Sequence, residues 1–379
     1  MSGLIKGWCP GAHRPMAAAD GLILRIRPPA GRLSAAQARG LARLAARYGQ
    51  GMLALTTRAN LQLRAIAPAD HAALLAELAA LALLDADAAT ERTHNIVIAP
   101  FWREGDGTPE LAAVLAAGLA GLQDLPAKFG VALDTGPAPV LGAISADIRL
   151  ERAEGGALLL RADGAPAGRP VRAEDAVAEI LTLAAWFIAS GGVKNGRGRM
   201  RAHLAAGHLP PGQNLLRPAP APASPVPGAR ADGLLAAFSL GDLPAETLAA
   251  LAELSPGIRL TPWRMLFLPG LAALPALPGL VLDPASPWPR VFACAGRPLC
   301  AQALGETRLL AQALAPHLPV GATLHVSGCA KGCAHPRPAD ITLTAANTGF
   351  TLARPGMDDL AGLDHAALLR HPERVFGQS

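Results

Sequence analysis

The hydrophobic pattern changes period along the chain, and it does so twice in the same order. Ala19-Asp20-Gly21-Leu22-Ile23-Leu24 opens a short apolar strand, and Ala231-Asp232-Gly233-Leu234-Leu235-Ala236 opens another. Each continues into Gly31-Arg32-Leu33-Ser34 or Gly241-Asp242-Leu243-Pro244. Ser34 suits a helix N-cap and Pro244 a first helical turn, so a helix is expected to start at both places. Alanine-rich helices are predicted over about Ala35–Tyr48 and Ala245–Leu254. Alternating apolar residues follow, Leu53, Leu55 and Thr57 in the first copy and Ile258 and Leu260 in the second. Thr56–Ile66 then aligns without gaps on Thr261–Leu271, pairing Leu61 with Leu266, Leu63 with Leu268 and Ile66 with Leu271. Each copy reads strand–helix–strand and is too small to enclose a core alone. The two are expected to pair into one domain.

A longer mixed region follows each copy. The first predicts helices at Pro109–Gln123 and Glu174–Ser190, with strands at Gly130–Leu133, Ala146–Leu150 and Leu158–Ala162. The second predicts a helix near Ala301–Ala315 and strands near Thr323–Val326 and Asp340–Leu343. Between the halves, Arg217-Pro-Ala-Pro-Ala-Pro-Ala-Ser-Pro-Val-Pro-Gly228 reads as an extended, semi-rigid linker.

Composition fits this picture. Of 379 residues, 51% are apolar and 17% charged, so a sizeable core is possible and a disordered chain is excluded. Mean hydropathy is +0.29, which raises the question of a membrane. The most apolar stretches, Leu111–Leu122 and Ile180–Val193, fall short of the roughly 18 residues needed to span a bilayer. Met1–Asp20 holds no continuous apolar segment, so no signal peptide and a cytoplasmic location are expected. The net charge of +5 is modest, and one Tyr with eight scattered Phe gives no base-stacking pattern. Neither a nucleic-acid partner nor a membrane partner is expected.

Four of the five cysteines cluster late, as Cys294-x5-Cys300 and Cys329-x3-Cys333, while Cys9 stands alone and reads as a small buried residue. Buried thiols, a zinc site and an iron–sulfur site all draw on this residue type. Grouping of four in so short a stretch weakens the first. Zinc usually closes shorter loops, so the spacing favours iron–sulfur. Gly, Ala and Pro around the cysteines let the backbone wrap closely and aim N–H groups at sulfur.

These cysteines, the duplicated units and several motifs together resemble the nitrite/sulfite reductase superfamily. Within it, Gly7-Trp8-Cys9-Pro10-Gly11, Arg14-Pro15-Met16 and Leu55-Thr56-Thr57-Arg58-Ala59-Asn60-Leu61-Gln62-Leu63-Arg64 are similar to the branch that oxidises a tetrapyrrole in aerobic cobalamin biosynthesis. So is His325-Val326-Ser327-Gly328-Cys329-Ala330-Lys331-Gly332-Cys333-Ala334-His335-Pro336. The resemblance implies an α+β fold with a duplicated nitrite/sulfite reductase-like architecture. Two ferredoxin-like half-domains, 1–87 and 231–278, would pair with two larger mixed α/β domains, 88–215 and 279–379, across a linker at 216–230. It also implies a [4Fe–4S] cluster on Cys294, Cys300, Cys329 and Cys333, together with a mononuclear non-haem iron. The reaction implied is a monooxygenation, in which oxygen from O2 enters precorrin-3A at C20 with γ-lactone formation. The rival within the superfamily is a sirohaem-dependent sulfite or nitrite reductase; outside it stands a non-catalytic tetrapyrrole carrier or zinc-stabilised module.

The same resemblance assigns substrate contacts. Superfamily reductases grip their anion with two arginines and two lysines. The Thr-Thr-Arg motif carries the first onto Arg58, with Arg64 beside it, and Arg92 of Glu91-Arg92-Thr93-His94-Asn95 is a looser match for the second. Leu125-Pro126-Ala127-Lys128-Phe129-Gly130 resembles the family's Pro-Arg-Lys-Phe-Lys, so Lys128 matches one lysine and Gly130 replaces the other. A small dianion would then be incompletely clamped, which argues against sulfite chemistry. Positive charge sits on one copy of the repeat only: Arg25, Arg27 and Arg58 correspond to Ala237, Ser239 and Trp263. Lys194, Arg197, Arg199 and Arg201, with Gly spacers, could close as a loop over the carboxylates that rim a precorrin. His371-Pro372-Glu373 is a weak iron-ligand signal, and His94, His325 and His335 lie inside motifs without an assigned role. There is no Walker loop and no strand-linked Gly-x-Gly-x-x-Gly, so an external electron-donating reductase is expected.

Overall fold

The computed structural model describes residues 10–212, 215–335 and 337–376. The first unit runs β1 (Met16–Ala18), β2 (Gly21–Ile26), β3 (Arg32–Ser34), α1 (Ala35–Tyr48), β4 (Met52–Leu55) and β5 (Leu61–Ile66). Ser34 starts α1 through a capping box. Its hydroxyl accepts the Gln37 N–H at 3.2 Å, and the Gln37 side chain accepts the Ser34 N–H at 2.9 Å. After α2 (His71–Ala80) and α3 (Ala88–Thr93), the first larger domain holds β6 (Ile96–Ile98), α4 (Thr108–Ala120), β7 (Val131–Leu133), β8 (Ile148–Arg152), β9 (Leu158–Ala162), β10 (Arg169–Pro170), α5 (Ala176–Ala189) and α6 (Met200–Ala205).

The second half repeats the plan. Its small unit is β11 (Gly228–Arg230), β12 (Gly233–Phe238), β13 (Asp242–Pro244), α7 (Ala245–Leu254), β14 (Gly257–Leu260), β15 (Met265–Pro269) and β16 (Leu280–Val281). Its larger domain is β17 (Val291–Ala293), α8 (Arg308–Leu314), β18 (Leu324–Ser327), β19 (Ile341–Ala346), β20 (Gly349–Ala353), β21 (Leu360–Leu363) and α9 (His365–Arg370). The two large sheets match. Three parallel strands, β6-β7-β8 or β17-β18-β19, are extended by two antiparallel ones.

The small units exchange a strand. β13 pairs with β4, Asp242 opposite Ala54, and β3 pairs with β14, Ser34 opposite Gly257. The five-stranded sheet of the first copy and the six-stranded sheet of the second therefore each end in a strand from the other copy, and α1 packs against α7. One apolar core results, holding Leu24, Leu41 and Leu63 from the first copy with Leu248, Leu251 and Leu266 from the second. The duplication reaches individual backbone angles. Ala30 and Leu240 both have positive φ, 53° and 54°, and so do Ala59 and Arg264, 51° and 60°.

Two expectations are corrected. The helix near Ala301–Ala315 forms only from Arg308, because the residues before it turn around the cysteine loops. The linker does not run clear of the domain at its start. Leu216 and Pro218 bridge to Gly168 and Ala153, and the Ala219 N–H donates to Arg152 O at 2.8 Å. Among the described residues no helix is long and apolar enough to cross a membrane.

Asp134 follows directly on β7 and is only 2% exposed. Its Oδ2 accepts the Leu141 N–H at 2.6 Å, and its Oδ1 has no partner. Burial pushes its pKa up to about 6, against the Leu141 hydrogen bond that lowers it. The folded state therefore favours the protonated acid. That contribution is full below the ordinary value near 4 and is lost as pH rises through 6, leaving a cost on the order of 2–3 kcal/mol at pH 7. Asp134→Asn should raise stability by at least about 1 kcal/mol at pH 7 and change little at pH 4. Urea midpoints at the two pH values measure this, and a gain of equal size at both would refute the burial argument.

Candidate active site

β17 and β18 run in parallel, and Cys294 and Gly328-Cys329 follow directly on their C-terminal ends. Open parallel sheets bind ligands at this edge. The two cysteine loops are laced together. Cys294 N–H donates to Val326 O at 3.3 Å, Leu304 N–H to Gly328 O at 2.7 Å, and the Thr307 hydroxyl to Cys294 O at 2.6 Å. The Gly328 N–H points at Cys294 Sγ, 3.1 Å away. Only glycine fits there, since a Cβ would stand 2.8 Å from that of Ala303 and 3.4 Å from the sulfur.

All four cysteines are free thiols; three are partly buried and Cys333 lies at the rim. Desolvation raises the Cys333 pKa and Lys331 opposes it. The Gly328 contact sets Cys294 against the loop that carries Cys329 and Cys333. Among the described residues no three His, Cys, Asp or Glu side chains are arranged to hold a single metal ion. Four unpaired thiols with a backbone N–H already directed at one sulfur form a donor set that fits an iron–sulfur cluster.

The two halves touch beside the cysteine loops, Arg64 at Leu299 O and Arg337 at Ala143 O. The Thr56 hydroxyl accepts the N–H groups of Arg58 and Asn60 at 3.3 and 3.2 Å and sets the turn that carries Arg58. The second copy repeats the device at Thr261, with Trp263 and Met265 as donors. Arg58, Asn60, Asn95, Ile96, Val97 and Ser145 line a small cavity. Lys128 sits on the turn beside it, where Phe129 N–H donates to Pro126 O at 2.8 Å. Asn95 holds that turn through Ala127 O at 3.2 Å.

Several of the predicted cations are held by named partners. Arg92 donates to Leu125 O at 3.2 Å and also to Gln123 O, so it braces the lysine turn. Arg64 forks onto Asp20 at 3.0 and 3.2 Å and reaches Leu299 O, just before Cys300, at 3.5 Å. Arg199 is tied to Asp147 at 2.9 Å and to Ser145 Oγ at 3.0 Å, whereas Arg201 pairs with Asp163, so the basic run does not act as one loop. Arg27 is buried against Glu91, 3.5 Å away. Gly130 donates its N–H to Asp147 Oδ2 at 3.0 Å, and a Cβ there would lie 3.1 Å from Asn95 O.

Several working residues escaped the sequence. Buried Glu91 accepts the N–H groups of Ala12 and His13 and fixes the start of the described chain. Arg337 donates to Ala143 O at 2.9 Å and draws the segment after Cys333 to the Ser145 loop. His94 Nδ1 meets Asp85 Oδ1 at 2.7 Å. His371 and Glu373 are 3.5 Å apart at half-exposed positions and gather no third ligand. Cys9 lies outside the described residues.

The two repeat copies should respond differently to truncation. Arg58→Ala should weaken binding of a carboxylate-bearing ligand at least roughly tenfold, about 1.4 kcal/mol, with stability unchanged. Trp263, stacked on Phe101 with ring centroids 5.8 Å apart, should instead lose on the order of 1–3 kcal/mol of stability when cut to Ala. Titration by absorbance and urea melts separate the two effects; equal, purely stability-driven losses would remove Arg58 from the site.

Duplicated small units with an exchanged strand, and two pairs of free cysteines at the edge of a parallel sheet, are the features of the nitrite/sulfite reductase class. The family model for the nitrite/sulfite reductase ferredoxin-like half domain matches residues 14–81. In fold the chain is similar to the NirA protein of Mycobacterium tuberculosis, with a TM-score of 0.66 over 94% of this chain and 81% of that one at 19% identity. A precorrin-3B synthase from a Sinorhizobium species is 30% identical over 388 aligned positions, 93% of this chain and 83% of the relative. The chain belongs to the precorrin-3B synthase family of oxidoreductases.

Proposed function

We propose that this chain is a monooxygenase that inserts one oxygen atom from O2 into precorrin-3A at C20, with γ-lactone closure from a ring A acetate. A [4Fe–4S] cluster would be held by Cys294, Cys300, Cys329 and Cys333, and electrons would come from an external reductase. The observation that carries the reading is the meeting of the four-cysteine pocket with the Arg58–Lys128–Ser145 cleft, drawn together by Arg64 at Leu299 and Arg337 at Ala143. Family membership supports the substrate.

Bound at the cysteines, the cluster supplies one-electron chemistry. Among the described residues nothing is arranged to hold the mononuclear iron, and no residue is assigned to it. Arg58 and Lys128 take the acetate and propionate carboxylates of the macrocycle by charge-assisted contacts. Arg64 and Arg92 add positive charge at the rim from positions fixed by their own partners. Asn60, Asn95 and Ser145 offer neutral polar contacts that set one orientation of the ring and hold C20 in place.

The second reading is a sirohaem-dependent sulfite or nitrite reductase, because the same cysteines would serve it. Gly130 counts against it. The superfamily's second lysine is missing there, and the space beside it is closed by Asn95 O. The absorption spectrum of anaerobically purified protein, with iron and sulfide counts, tests both. A broad visible shoulder with about four irons and four sulfides supports the proposal. A strong Soret band would establish the reductase instead, and zinc with neither feature a binding module.

A further inference from the structure

We infer that His325 donates its Nε2–H to a sulfur of the cluster that the four cysteines would hold, and so raises the reduction potential; this rests on the cluster assignment above. β18 alternates faces. Leu324 and Val326 enter the apolar core, which puts His325 and Ser327 on the opposite side. The Ser327 hydroxyl already serves the cysteine loop, donating to Cys329 O at 2.7 Å.

His325 is 4% exposed, and its Nε2 has no hydrogen-bond partner among the described residues. A buried ring nitrogen is seldom left in that condition. Its neighbour atom Cε1 lies 3.6 Å from where a Cβ on Gly332 would stand, and Gly332 sits between Cys329 and Cys333. The ring edge therefore borders the loop that carries two of the sulfurs.

The ring is also held from one side. His335 meets it edge-on at 6.0 Å, Phe292 lies 4.2 Å from His335, and the Arg264 guanidinium covers Phe292 at 4.2 Å. Arg264 is itself fixed by Trp288 O and Pro289 O at 3.2 and 3.1 Å. Burial, with His335 adding, lowers the His325 pKa to about 4, so the imidazole is neutral and carries a single N–H. Sulfur is an acceptor, and N–H donors to cluster sulfurs stabilise the reduced state. The Gly328 N–H on Cys294 Sγ is the backbone form of the same contact.

The test uses the full-length, reconstituted protein under anaerobic conditions. Potentiometric titrations compare wild type, His325→Leu, which has no donor, and His325→Gln, which keeps one. At full iron and sulfide, the reduced-to-oxidised ratio of the Leu variant at a fixed ambient potential should fall at least tenfold, about 59 mV for one electron. The Gln variant should stay near wild type. In D2O the Fe–S stretching bands should shift in all three through the Gly328 N–H, and by clearly less in Leu than in wild type and Gln. If the Leu variant does not load, His325→Met, which also has no donor, takes its place, and a D2O shift of wild-type size in the donor-free variant overturns the inference. A loaded Leu variant with the wild-type midpoint also overturns it. A wild type without iron and sulfide would overturn the cluster assignment itself, a distinguishable result.

Discussion

Serine at any one of Cys294, Cys300, Cys329 or Cys333 should leave the purified chain without its iron–sulfur chromophore and without turnover. Each thiolate would bind one corner iron, and an alcohol that stays protonated at neutral pH is a poor substitute. The loops themselves should survive the change, because apart from the Gly328 N–H on Cys294 Sγ their lacing runs through backbone groups and the Thr307 and Ser327 hydroxyls. Far-ultraviolet circular dichroism should therefore stay near wild type while iron and sulfide fall to background. Cys9→Ser should keep both at full count. A Cys9→Ser protein that loses its iron beside a Cys294→Ser protein that retains it would reassign the ligand set.

Without a separate electron donor, the chain supplied with NADH, O2 and precorrin-3A should form almost no product. An iron–sulfur cluster exchanges one electron at a time, whereas a nicotinamide delivers a hydride that a flavin must split. The parallel strands that could host a dinucleotide are short, three to six residues, and the edge that would bind it in the second half is taken by the cysteines. Adding a flavin reductase or a chemical one-electron donor should restore turnover, with one atom from labelled O2 retained in the lactone product. Sustained NADH-driven turnover by the flavin-free chain would overturn this.

The local parts of the fold were legible because they are written in short-range chemistry. Ser34 and Pro244 mark the starts of α1 and α7, and the periodic residues run to the ends observed. Strand exchange was not legible. Period 2 reveals a strand but not its neighbour, and β3 and β13 are three residues long. The stretch Ala301–Thr307 misled for a related reason: alanine favours helix anywhere, but hydrogen bonds to Gly328 and Cys300 override that preference. The cysteines announced themselves by spacing. The groups that set the cleft did not, since Glu91, Asp147 and Arg337 act through backbone partners far away in sequence. A lone aspartate between apolar residues, as in Ala146-Asp147-Ile148, was the one signal available. His325 carried none beyond its place in a motif.

Reciprocal exchange of β3 and β13 has an ancestral reading. A repeat that cannot complete its own sheet needs a second copy, and before the duplication that copy had to be another molecule. In geometry the present chain corresponds to a twofold homodimer made covalent, with an isologous interface between its two copies and the Pro/Ala segment joining them. Joining the subunits removed a constraint. In a homodimer every substitution appears twice, once on each side of the axis, so a cationic turn would bring a second, unused cationic turn with it. Once fused, the equivalent turns could diverge, and they did: one presents Arg58 to the cleft and the other Trp263 to Phe101. Loss of symmetry allowed a single site to form where the ancestor had room for two.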